Sequence, residues 1–152
     1  RRVNKGRRNG YCPLDNNAKV PVQNLPEFLQ GGAYLCFDTV FPGQLQSGYP
    51  SPIDILYPPI ASYLVMAYAT VMTPPQGSNV EVQLKKFDNT LITTLEISPP
   101  NYESLVFQVP ANTFYFGTIA APFKLILSAV GSTYPGEYLR VRTICKTYTP
   151  PD

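Results

Sequence analysis

The sequence predicts an all-β protein: an eight-stranded antiparallel jelly-roll sandwich preceded by a basic N-terminal arm. Three observations carry this reading. From residue 33 onward, apolar residues recur with period two between loops rich in Pro, Gly and Asn. No segment longer than about ten residues has the 3.6-residue period of an amphipathic helix. Five of the twelve basic residues, Arg1, Arg2, Lys5, Arg7 and Arg8, fall in the first eight positions.

The arm comes first. Residues 1–10 read RRVNKGRRNG, with one apolar side chain and no carboxylate, so they carry +5 and cannot nucleate a core. The remaining 142 residues hold seven Lys/Arg against ten Asp/Glu, a net −3 that the overall +2 conceals. A cationic arm on a mildly acidic body points to a polyanionic partner bound through the arm. Guanidinium groups make bidentate contacts to phosphate, and the Gly-containing backbone adapts to them. With no aromatic residue before Tyr11, the arm should contact backbone charge more than bases. Basic arms also bind anionic membranes or heparin, or act as nuclear-import signals, and the arm alone does not choose among these. The sequence begins at Arg1 without a Met or a hydrophobic leader, which is expected of a processed or trimmed form.

Residues 11–32 form an irregular bridge, with one helical turn expected at 26–30 between Pro26 and Gly31-Gly32. The domain division is therefore 1–32 for arm and bridge and 33–152 for the sandwich. Eight principal strands are expected at 33–41, 61–73, 79–87, 90–97, 103–109, 113–119, 122–130 and 137–148. A shorter extended piece at 53–57 is either a ninth strand or a loop. In the third strand Val80, Val82 and Leu84 face one way, and Glu81, Gln83 and Lys85 the other. Asp88-Asn89 then turns tightly into Leu91, Thr93, Leu95 and Ile97. In the last strand Leu139, Val141, Thr143 and Cys145 should face the core, and Tyr138, Arg140, Arg142, Ile144 and Lys146 the opposite side. Arg140, Arg142 and Lys146 either extend the basic surface or form an ordinary solvated sheet face. Eight strands without helices in one domain give two packed sheets. An immunoglobulin-like sandwich fits less well, because the Trp of its Cys…Trp…Cys arrangement is missing.

Composition narrows the function. Charged residues are only 14% of the chain, against about 25% in ordinary domains, while Tyr (11) and Phe (8) are plentiful. Such a surface suits burial against other protein more than the uncharged skin of a secreted sandwich, which is the plainer alternative. The 17 prolines include the doublets Pro58-Pro59, Pro74-Pro75, Pro99-Pro100 and Pro150-Pro151. They stop strands, and they stiffen loops that lose little entropy at a contact. The longest apolar run, 60–72, is interrupted by Ser62 and Thr70 and is too short to span a membrane.

The sequence has no His, which excludes a Ser-His-Asp triad, a Cys-His pair and imidazole metal ligation. The ten acids are scattered, Glu81, Glu96 and Glu103 falling on strand faces or contacts, and Gly-rich phosphate loops are absent. The expectation is therefore no enzyme, no small-molecule substrate and no cofactor. The one metal candidate is Ca²⁺ at a subunit boundary, using Asp15-Asn16-Asn17, Asp38, Asp54 or Asp88, although these are also common turn residues. Cys12, Cys36 and Cys145 are an odd set, read as reduced thiols or as one bridge plus a leftover thiol. Cys36 and Cys145 are expected to behave as small hydrophobes, and Cys12 lies where it could crosslink subunits.

A short Arg-rich arm, a Pro-containing bridge and about eight strands resemble the coat proteins of small icosahedral RNA viruses, satellite viruses above all, whose coat is a single jelly roll. The most suggestive stretch is 65–87, VMAYATVMTPPQGSNVEVQLKKF, where a long apolar strand runs through Thr73-Pro74-Pro75 into an alternating one. The resemblance implies a capsid protein that self-assembles into an icosahedral shell in the host cell and packages single-stranded RNA in the virion. Arg1, Arg2, Lys5, Arg7 and Arg8 would then contact the RNA from inside the shell. Five arm charges are fewer than many coat proteins carry. The alternative is a secreted or surface β-sandwich binding module, lectin-like or for cell contact, for which an oxidised Cys36–Cys145 pair and a monomeric state would speak.

Overall fold

A computed structural model describes residues 33–48, 54–58 and 60–147. Of the two units into which the chain divides, Arg1–Gly32 and Ala33–Asp152, the second contains all of these. The helical turn expected at 26–30 lies outside the described residues.

The described residues form nine strand segments and no helix: β1 (Tyr34–Gln44), β2 (Asp54–Leu56), β3 (Ser62–Thr73), β4 (Val80–Lys85), β5 (Leu91–Ile97), β6 (Phe107–Gln108), β7 (Phe116–Gly117), β8 (Phe123–Ala129) and β9 (Glu137–Thr147). They make two sheets. One has the order β1-β9-β3-β6, with β7 also on β3; the other has the order β2-β8-β4-β5. Every pair between strands is antiparallel.

Alternation places the core between the sheets. Leu64, Ala67, Ala69, Val71, Leu139, Val141 and Cys145 point in from one sheet. Val80, Val82, Leu84, Leu95, Ile97, Phe123, Leu125 and Leu127 meet them from the other. The expected faces of β4 and β9 are thus both found. Gly117 permits a close approach between the sheets, since a Cβ there would stand 2.4 Å from Cε2 of the buried Phe123 ring.

Several details differ from the sequence expectation. The piece at 53–57 does contain a strand, β2, paired with β8. The strands expected at 103–109 and 113–119 shrink to two residues each and lie along the same flank of β3. A turn closed by the Thr113 N–H donating to the Pro110 carbonyl (3.1 Å), with Asn112 at φ 61°, separates them. Around them the β3 edge stays satisfied by single backbone bonds, from Tyr102 O (to Val71 N, 2.8 Å) to Tyr115 O (to Leu64 N, 2.9 Å). Nine segments therefore fill eight strand positions.

Two irregularities shift the alternation. The β3–β9 register slips between Leu64 and Met66, so Ser62 and Leu64 point inward before the slip, and Ala67, Ala69 and Val71 after it. In the β4–β5 hairpin, the Lys86 carbonyl accepts from Asn89 N–H (3.0 Å) and the Lys86 N–H donates to the Thr90 carbonyl (2.9 Å). Asn89 takes φ 67°, the three-residue turn with a bulge that favours Asn or Gly at this position. A slip between Leu84 and Lys85 leaves Leu91 half exposed, and Ile92 packs against the core.

The cysteines separate by face. Leu35 opposes Cys145 and Cys36 opposes Ile144 across β1–β9, so Cys36 is exposed while Cys145 is buried. Cys36 is therefore not the buried small hydrophobe the sequence suggested, and the two sulfurs cannot meet without unfolding the sheet. Burial pushes the Cys145 thiol up to about 12. In a Cys12→Ser background, a thiol reagent at pH 8 should modify one cysteine in the native protein and a second only after denaturation. Rapid native modification of both would contradict this placement.

Candidate nucleic-acid interface

The five arm residues Arg1, Arg2, Lys5, Arg7 and Arg8 lie outside the described residues. The outward side of the five-stranded sheet is organised in rows that cross strands. In one row, Tyr34 of β1 faces Lys146 of β9, Lys146 faces Tyr63 of β3, and Tyr63 faces Phe116 of β7. The Lys146 ammonium sits 5.5 Å from the centre of the Tyr34 ring. Phe114 and Phe116 stack at 5.9 Å with ring planes 10° apart, and Tyr63 meets both edge-on at 5.7 and 6.5 Å.

A second row joins Asp38, Arg142 and Tyr68. Arg142 donates from Nε to Asp38 Oδ1 (2.8 Å), from Nη2 to Asp38 Oδ2 (3.0 Å) and from Nη1 to the Tyr68 hydroxyl (3.2 Å). The bidentate hydrogen bond holds the Asp38 carboxyl below its ordinary range, with the charges of Arg142 and Arg140 adding to it, and Asp38 raises Arg142 in turn. Between these rows lies Cys36-Ile144-Met66-Gln108, and beyond the second lies Val40-Arg140-Thr70-Glu103.

Of the three cations expected on this face, then, Arg142 is neutralised by Asp38, Lys146 is held on an aromatic ring, and Arg140 is exposed. The face is neither a plain basic patch nor an ordinary solvated one. The outward side of the other sheet differs in kind. Its neighbouring side chains are Glu81 with Glu96, Gln83 with Thr94 and Ile126, and Lys85 with Lys124 and Leu91, a mostly polar set without aromatic rings.

The Asp38–Arg142 pair makes a pH prediction. Because the folded-state pKa of Asp38 is depressed, its contribution is complete above the ordinary value of 3.8 and is lost as pH falls through the lower folded value. The melting-temperature difference between the wild type and Asp38→Asn should accordingly be constant from pH 7 to 5 and shrink toward zero at lower pH. The gap is expected to be small, since the pair is solvent-exposed. A gap that widens on acidification would contradict it.

Two of the Ca²⁺ candidates, Asp38 and Asp88, already have partners within the chain. Asp38 is engaged by Arg142, and Asp88 Oδ1 accepts from Thr90 N–H (3.0 Å) within the hairpin turn. Asp15, Asn16 and Asn17 lie outside the described residues, and no metal-holding group of acids, Cys or His occurs among the described residues. A groove of about 950 Å³ runs between β5 and the 98–107 connection, and both Glu96 and Glu103 line it. Its lining contains no Lys, Arg or His. No helix among the described residues is long and apolar enough to cross a membrane. No protein-family model matches the chain, and no curated protein is significantly similar to it.

Sequence reasoning found the cations of this face but missed the aromatic residues beside them. One signal was available: in Phe114-Tyr115-Phe116 alternate rings must point to opposite sides, and Tyr115 is the one that packs against the core.

Proposed function

We propose that this chain is the capsid protein of a small RNA virus, a jelly roll that assembles with identical copies into an icosahedral shell and packages single-stranded RNA through its arm. The observation that carries the reading is the charge split: +5 in residues 1–10 against −3 in the rest. The strand order supports the jelly roll. β1, β9, β3 and the β6/β7 position form one sheet and β2, β8, β4 and β5 the other, so only the β4–β5 hairpin and the β6–β7 break join neighbours within one sheet. Jelly rolls also serve lectins. An oxidised Cys36–Cys145 pair would have spoken for the lectin-like alternative, and the opposed faces of those residues remove that support.

In this reading the domains are an RNA-binding arm and bridge (1–32) and a shell-forming body (33–152). The protein resides in the virion, is no enzyme and needs no cofactor. A Ca²⁺ at a subunit boundary would draw on Asp15, Asn16, Asn17 and Asp54, because Asp38 and Asp88 are engaged elsewhere.

The test is the salt dependence of binding to single-stranded RNA. Five arm cations that neutralise five phosphates give a log–log slope of about −3.5, at ~0.7 per phosphate for single strands. Alanine at all five positions should reduce the slope to near that of the body alone. A slope unchanged by those substitutions would remove the arm from the interface.

A further inference from the structure

We propose that the outward face of the five-stranded sheet, at the end carrying Tyr34, Lys146, Phe114 and Phe116, is a stacking platform for the bases of single-stranded RNA. The inference rests on the RNA-binding reading above and adds a second contact of different chemistry: the arm holds phosphates, and the body holds bases.

Exposure is the first argument. Tyr34 is 65% exposed, Phe114 57% and Phe116 47%. These large rings gather on one side of the sandwich, whereas the outward pairs of the other sheet hold Glu, Gln, Lys and Thr with the aliphatic Leu91 and Ile126, and no ring. Arrangement is the second. Phe114 and Phe116 already form an offset parallel stack, a geometry that a planar base can extend. The row from Tyr34 to Phe116 crosses four adjacent strands, about 14 Å at about 4.8 Å per strand. Sheets of that width stack two or three bases on their aromatic side chains.

Charge is the third, and it favours RNA over a protein partner. The aromatic row contains Lys146 and no acid, and the next row, Cys36-Ile144-Met66-Gln108, is uncharged. The acids farther along the face are Asp38, paired with Arg142, and Glu103, in the row of the exposed Arg140. A cation interleaved with exposed rings is what a strand of stacked bases and phosphates requires. Connectivity is the fourth. Ala33 and Thr147 hold each other at this end, with Thr147 N–H donating to the Ala33 carbonyl and Ala33 N–H to Thr147 Oγ1, both at 2.8 Å. The junction between arm-and-bridge and body in the sequence is thus fixed one residue before Tyr34.

The experiment compares two labelled probes on the full chain: a twelve-nucleotide oligouridylate and an abasic ribose-phosphate strand of the same length and charge. The wild type should bind the oligouridylate at least about fivefold more tightly. Tyr34→Leu/Phe114→Leu, which replaces two exposed rings, should bring the ratio close to one with an unchanged salt slope and melting temperature. Phe87→Leu, which removes a half-exposed ring on the β4–β5 turn, should leave the ratio at the wild-type value.

Equal binding of both probes by the wild type, with a steep salt slope, would overturn the platform and leave the arm's role standing. Failure of both probes to bind would overturn both. A double variant that keeps the ratio but changes the sedimentation of the protein would make this face a contact between copies, which also overturns the platform.

Discussion

Replacing Val141 by aspartate should abolish folding of the body. Val141 is fully buried at the middle of β9, the central strand that pairs with both β1 and β3. The change forfeits about 2 kcal/mol of apolar burial and places a carboxylate among Leu, Val and Ala side chains with no cation facing it. The second term costs several kcal/mol more, against a typical total stability of about 5–15 kcal/mol. Arg140→Asp, one residue away on the outward face, is the matched control and should melt normally. Circular dichroism and thermal unfolding of the two variants decide the matter. A folded Val141→Asp protein beside an unfolded Arg140→Asp protein would mean that the two faces of β9 are reversed.

The second large effect is functional. Deleting residues 1–10 removes +5 of charge and, on the sequence reading, takes nothing from the core, since the stretch holds a single apolar side chain. The body should keep its melting temperature while particles lose packaged RNA. With about 0.7 unit of log–log slope per phosphate contact, loss of all five cations near 0.15 M salt amounts to several orders of magnitude in affinity. Purified particles of the deletion with wild-type RNA content would show that the nucleic acid is held elsewhere, the sheet face being the next place to look.

How much of this was legible in the sequence depends on how local the determining interactions are. The faces of β4 and β9 followed from alternation alone, because neither strand is interrupted across its core positions. The β4–β5 hairpin was legible in Asp88-Asn89, since the turn chemistry lies within a few residues. Leu91 leaves the alternation of Thr93, Leu95 and Ile97 because the register slips between Leu84 and Lys85, where Ile92 is the extra residue. The short β6 and β7 were overestimated for a related reason. Their residues alternate, but Pro110 lacks a donor and Asn112 sits at positive φ, so the ladder breaks between them.

The outward rows were not legible. Tyr34 meets Lys146 and Asp38 meets Arg142 only through the register of β1 on β9, which joins the two ends of the domain. The same register separates Cys36 from Cys145, a point on which spacing in the sequence is silent. Charge balance, by contrast, is a property of composition, and the arm was evident at once.

The central claim is that this chain closes into an RNA-filled shell. The most direct measurement joins electron microscopy of the purified full-length protein to its 260/280 nm absorbance ratio. The account predicts uniform closed particles with excess absorbance at 260 nm. A monodisperse monomer free of nucleic acid, under conditions in which the body is folded, would contradict it.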